Sequence, residues 1–308
     1  VEHAADPPSA FRQHLQALGE RFAHPTFGFF GPQSVAWKVN REAVLMLGGM
    51  RALLMQVAHP KVAQGVADHS RFRDQPFQRA MSTFRAVHTI VFGSQQEAVD
   101  MAYRVHCVHN RVQGKVVDPI PELSDTSYSA NDPDLLMWVF GTLFDSALLG
   151  YDQYLPRLRA SERTRFYKES MLFARLFGVP DDRIPPDLYA FHRWMDDMLT
   201  GSELVVTPTA REIALSLLDG IVFPAISRPL HSILAAGMLP DPLREAFGIP
   251  WGRRSQIIYG AGTQSIRRLI GRLPKRIRWI PAAIAADSGA STHSKKQAGR
   301  RWHERIRR

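Results

Sequence analysis

At 308 residues the chain has room for one large domain or two ordinary ones, and 45% hydrophobic with 22% charged residues is the composition of a globular protein, not a disordered one. One cysteine, Cys107, excludes an internal disulfide and fits a reducing compartment. The net charge of +10 is unevenly spread: from Ile266 onward there are 13 Lys/Arg against two acids, which leaves 26 basic and 27 acidic residues in everything before it. A near-neutral body with a basic tail argues against a nucleic-acid-binding domain and for a basic appendage.

The first residues, "VEHAADPPS", lack the apolar core of a signal peptide. The longest apolar run, "LLMWVFGTLFDSALLG", is interrupted by Asp145 and falls short of a transmembrane span. These features predict a cytoplasmic protein.

The first strong helical signal is "EAVLMLGGMRALLMQVAH", apolar around most of its circumference, with Gly48 and Gly49 allowing close approach of a backbone or ligand. His59 precedes Pro60, which places it at a helix boundary. His69 closes the short helix that follows. "PFQRAMSTFRAVHTIVFG" carries Phe77, Ala80, Met81, Phe84, Val87 and Val91 at spacings of three and four. Arg79 and Thr83 stand one turn apart beside that stripe.

In "QEAVDMAYRVHCVHNRVQGKV", Ala98, Ala102, Val105, His109 and Val112 share a stripe, so His109 occupies a position where the pattern asks for leucine. His106 lies one turn earlier on a neighbouring edge. An inward-facing neutral imidazole can be a haem axial ligand, or it can be a core histidine bonded to a carbonyl; spacing leaves both open.

Further along, Asp132 and Pro133 open a helix that Gly150 would stop. Ser161 opens another, ended by Gly178 and Pro180. Thr209 and Glu212 form a capping-box pair before a helix ending at Gly220. "ELVVTP" is the one short strand pattern. In the tail, "TQSIRRLIGRLPKRIRWIPAAIAA" reads either as a solvated helix packed on the body or as an interfacial segment resting on anionic lipid. "DSGASTHSKKQAGRRWHERIRR" reads as a largely disordered terminus.

The prediction is an all-α fold: one globular domain of roughly ten helices at 31–265, preceded by a lead-in at 1–30 and followed by a basic tail at 266–308. Nucleotide-binding glycine loops, G-x-S-x-G, HExxH and cysteine pairs are absent.

The ordered set "LGGMRALLMQVAHPKVAQGVADHSRF", "QRAMSTFRAVHTIVFG", "HCVHNRVQGKV", "NDPDLLMWVFGTLFDSALLGYDQYL" and "RFYKESMLFARLFGVP" resembles a family of bacterial proteins grouped with the latex-clearing rubber oxygenases and the fungal MpaB-type oxygenases. The resemblance runs from about Gly31 to Thr209 and more loosely to Gly260. It implies a helical fold enclosing a haem b pocket, and oxidative cleavage of isoprenoid double bonds with dioxygen. It places His109, in "HNRV", at the family's proximal histidine, the axial ligand of the haem iron. It sets Arg79 and Thr83 beside the haem as catalytic residues, and His59, His69 and His106 as cofactor-binding residues around the pocket.

Two departures stand out. Ser82 takes the place of the lysine that precedes the matching threonine in latex-clearing proteins, and Phe140 replaces a histidine found in many relatives. The expected function is therefore a haem b-dependent oxygenase acting with dioxygen on an apolar, isoprenoid or lipid-like substrate. The alternative is a haem or hydrophobic-ligand binding protein without turnover. Peripheral membrane contact through the basic tail is the one macromolecular interaction expected.

Overall fold

A computed structural model describes residues 9–69, 76–117, 126–219 and 228–288, with backbone alone at 76–80, 219 and 228. In chain order the helices are α1 (Ala10–Phe22), α2 (Val35–Asn40), α3 (Met46–Val57), α4 (Pro60–His69), α5 (Pro76–Phe92) and α6 (Gln95–His109). A small antiparallel hairpin follows, β1 (Gln113–Lys115) with β2 (Ser127–Ser129), Gly114 opposite Tyr128. Then come α7 (Pro133–Tyr154), α8 (Ala160–Leu176), α9 (Leu188–Thr200), α10 (Pro208–Asp219), α11 (Arg228–Met238), α12 (Asp241–Ala246), α13 (Arg253–Ile270), α14 (Lys275–Arg278) and α15, residues 281–288. The fold is all-α, as expected; "ELVVTP" forms no strand, and the hairpin lies elsewhere.

Local chemistry sets most helix ends. Asp132 accepts from the N–H groups of Asp134 and Leu135 at 2.9 and 3.4 Å, and Pro133 fills the first helical position of α7. α7 continues past Gly150 to Tyr154, because that glycine makes room for Leu45 and Met238 instead of ending the helix. Gly178, at φ +91°, follows the end of α8 as a left-handed stop. α10 starts two residues before the predicted cap: Thr207 Oγ1 accepts from the Ala210 N–H at 3.1 Å and Pro208 comes next. The predicted stop at Gly220 lies outside the described residues.

The core forms where α3 crosses α7. A side chain at Gly48 would stand 2.7 Å from the Ser146 carbonyl oxygen, so glycine is what lets the two backbones approach. Arg51 is buried at this crossing and fully engaged: Nε donates to the Met238 carbonyl, Nη1 to Ser146 Oγ and Nη2 pairs with Asp145, each at 2.7 Å. Asp145, which broke the longest apolar run in the sequence, is thus half of a buried ion pair. Around Phe144, the rings of Phe166, Tyr167 and Phe191 pack at 5.0 to 5.3 Å. No described helix is long and apolar enough to cross a membrane.

Both chain ends join the body further than charge and composition suggested. α1 packs on α6 and buries Leu15 and Leu18, and Phe29 and Phe30 are core residues. At the other end, the boundary expected at residue 266 falls inside α13, near its C-terminal end. Beyond it, Ile270, Trp279, Ile280 and Ala283 are buried. Residues 274–288 form a strap. Its Arg278 makes two bonds to the fully buried carboxylate of Glu42, at 2.6 and 2.8 Å, and the Ile280 N–H donates to the Arg41 carbonyl at 2.9 Å. The final basic residues, 289–308, lie outside the described residues.

Candidate functional site

Five apolar stretches converge on a cavity of about 100 Å³. α3 contributes Gly49, Ala52 and Leu53; α5 contributes Thr83, Phe84, Val87, His88 and Val91; α7 contributes Phe140, Leu143 and Phe144. α8 adds Phe166 and Phe173, and the strap closes one side with Ile280. The lining follows from helical periodicity: residues 84, 87, 88 and 91 recur at three and four, so one side of α5 faces the space. Gly49 is what admits α5 here, since a side chain at 49 would lie 2.3 Å from the tip of Phe84.

Few polar groups reach the cavity, and most are committed to the fold. Glu42 is held by Arg278, Asn40 donates to the Ala36 carbonyl, and Ser146 accepts from Arg51. His88 differs. Its ring lies between Phe84 and Phe92, 6.1 Å from each ring centre, and no hydrogen bond reaches it among the described residues. Burial pushes its pKa down to about 4, so at neutral pH it presents one N–H donor and one lone pair. A conjugate acid that strong makes a poor base; His88 suits hydrogen bonding to a ligand better than proton abstraction. Among the described residues, no carboxylate lines the cavity without an ion-pair partner.

Of the residues singled out in the sequence, Thr83 lines this cavity; His59, His69, His106 and His109 do not. His59 is buried at the start of α4, where its Nδ1 accepts from the Lys61 N–H at 3.2 Å; desolvation, helped by the charge of Lys61, pushes its pKa down to about 4. It acts as an N-cap, with its proton on Nε2. His69 is exposed; its Nε2–H donates to the Gln113 carbonyl at 3.2 Å, and its ring meets Tyr128 edge-on. His106 stacks on Phe11 with centroids 3.9 Å apart, and burial lowers its pKa. His109 is half-buried on the last turn of α6.

α5 and α6 are an antiparallel helical hairpin turning at Gly93 and Ser94. Counting equally outward from the turn sets Arg79 level with Val108 and His109. Thr83 lies one turn further in, so it connects that level with the cavity. The side chain of Arg79 lies outside the described residues.

Sequence reading overlooked His88, Glu42 and Ile280. His88 could have been found: it interrupts the stripe Phe84, Val87, Val91 as His109 interrupts its own.

Residues 37–272 match the family model described as the ER-bound oxygenase mpaB/B′/rubber oxygenase, catalytic domain. The chain belongs to this family. No curated protein and no solved structure matches it. The oxygenase domain thus runs from Trp37 in α2 to Arg272 beyond α13, and contains the α3, α5, α7 and α8 walls of the cavity; Phe30, Ala36 and Ile280, which also line it, fall outside.

Haem b, which the sequence resemblance implies, asks for a neutral imidazole at iron, apolar surfaces for the macrocycle and a cation for the propionates. Along the α5–α6 hairpin the backbone positions of Arg79 and His109, the residues that the resemblance assigns to these roles, stand at one level. The cavity is too small to enclose a macrocycle: pockets for drug-sized ligands run to roughly 300–1,000 Å³. Among the described residues no cluster of three or more His, Cys, Asp or Glu side chains could hold a bare metal ion.

Proposed function

We propose that this oxygenase-family chain is a haem b-dependent oxygenase acting with dioxygen on an apolar, isoprenoid or lipid-like substrate. His109 would hold the iron and Arg79 a propionate, while the cavity behind Thr83 takes the apolar chain. When bound, the haem would supply the activation of dioxygen. The protein's own residues do the rest. The rings of Phe84, Phe140, Phe144 and Phe166 exclude water and reward burial of a hydrocarbon, at about 25 cal/mol per Å² removed from water. His88 gives a hydrogen bond to a polar group carried by that ligand, and Thr83 presents its hydroxyl on the same wall. The observation that carries this reading is an apolar cavity, walled mainly by the oxygenase domain, with one neutral imidazole among its described lining residues and no hydrogen bond to that imidazole from any described residue.

The test is the visible spectrum of the protein with and without added hemin, for wild type, His109→Ala and His88→Ala. The proposal expects a Soret band that His109→Ala abolishes and His88→Ala retains, followed by oxygen uptake with a polyprenyl substrate. The opposite pattern would make His88 the axial ligand. No band in any protein would sink the haem reading, and a band without oxygen uptake across a polyprenyl panel would leave a binding protein.

A further inference from the structure

From Trp251 to Ala286 the chain contains eight Lys or Arg and no Asp or Glu. Arg278 is consumed by Glu42 and Lys275 approaches Asp287 at 3.8 Å. Arg253, Arg254, Arg267, Arg268 and Arg276 are exposed and form no ion pair among the described residues, and Arg272 bonds only the carbonyl of Arg268. Interleaved with them are aliphatic side chains that the fold leaves in water: Ile257, Leu269, Leu273 and Ile277, at 62, 58, 37 and 57% exposure. The last three recur every fourth residue across the end of α13 and α14. Nothing in the body requires them outside, and elsewhere in the same strap Trp279 and Ile280 are buried.

We propose that the α13–α14 face docks the protein on an anionic phospholipid surface. Unneutralised arginines meet phosphate headgroups, and the aliphatic side chains between them enter the headgroup boundary, the pairing of a charged face with apolar tips that holds interfacial helices. Aliphatic tips favour lipid over single-stranded nucleic acid, which is gripped by exposed aromatic rings. The position of the face adds a consequence, which rests on the cavity being the substrate site. α14 leads through Trp279 to Ile280, a wall residue of that cavity, so docking would set the strap side of the cavity at the bilayer, where apolar substrates dissolve.

The experiment is co-sedimentation of the full chain with vesicles of phosphatidylcholine alone or mixed with phosphatidylglycerol. It needs neither haem nor turnover, so its failure is separate from failure of the oxygenase reading. Binding is expected on the mixed vesicles only, to weaken with salt, and to fall more than about tenfold in Arg267→Glu/Arg268→Glu/Arg272→Glu. Leu269→Ser/Ile277→Ser should weaken it by about three- to tenfold, with melting temperatures little changed because both side chains are more than half exposed. Three results would overturn the proposal: no binding to anionic vesicles, equal binding to neutral ones, or unchanged binding by the triple variant, which would assign it to the basic residues 289–308. Capture of RNA through the same arginines with no vesicle binding would overturn it in favour of nucleic acid.

Discussion

His59 and His88 are the same side chain, desolvated in both places, and they differ most in what their ring nitrogens meet. Burial pushes both pKa values down to about 4. At the corner between α3 and α4, His59 spends its lone pair on the Lys61 N–H and so caps a helix. On the wall of the cavity, His88 is flanked by Phe84 and Phe92 and hydrogen-bonds to nothing among the described residues. Desolvation alone therefore does not mark a functional imidazole. What marks it is desolvation beside free space, where the missing partner can be a ligand.

The largest effect expected from this pair is acid lability. Both imidazoles are protonated near pH 6.5 in the unfolded chain but stay neutral in the folded one down to about pH 4. The unfolded state thus binds more protons in that window, so stability is complete above pH 6.5 and falls as pH drops toward 4, by about 3 kcal/mol for each group. Urea midpoints measured between pH 7.5 and 4.5 should show the loss. His59→Asn, which keeps a capping oxygen without a titrating ring, and His88→Phe should each remove about half of it. Parallel pH profiles for all three proteins would show that neither imidazole is held neutral.

A smaller effect separates the two residues at pH 7.5, where neither titrates. His59→Ala loses a cap and a packed ring and should cost about 2 kcal/mol. His88→Phe replaces an unbonded ring by an apolar one between two phenylalanines and should cost about nothing, or stabilise by under about 1 kcal/mol. It should also abolish recognition of any ligand that needs the imidazole, leaving purely hydrocarbon ligands bound. Equal destabilisation by both substitutions, read from thermal melts, would erase the distinction.

Local signals carried much of the fold and little of the site. Asp132 with Pro133, Gly178 with Pro180 and the glycine pair at 48 and 49 declare themselves because their causes lie within a few residues. Arg278 reads as one more solvated charge in a basic tail because its partner, Glu42, is 236 residues away. Asp145 is visible as the charge that interrupts the longest apolar run, but nothing local says that α3 crosses α7 and joins it to Arg51. The hairpin escaped notice because three-residue strands are too short to show alternation. His88 does not stand out because the sequence cannot tell a core stripe from a cavity wall; that difference is set by what α3, α7 and α8 place opposite.

A substitution at Gly49 tests that opposition directly. Gly49→Ala puts a methyl 2.3 Å from Phe84 Cζ and 2.6 Å from Cε1, a contact that one of the two must leave. α3 is fixed by the Arg51 network, so Phe84 moves. Its ring borders free volume and is the far end of a mobile side chain, so it can turn inward for about 1 kcal/mol, toward the low end of the cost of overpacking a core. In turning it fills part of the cavity and disturbs its stack on His88. The melting temperature should drop only slightly, while uptake of an apolar fluorescent probe falls sharply and the His59 contribution to acid lability stays intact. A variant that melts like wild type and still takes up the probe would place the apolar ligand somewhere other than the α5 wall. A variant that loses several kcal/mol would show Phe84 to be locked, and the cavity to be packed core rather than a site.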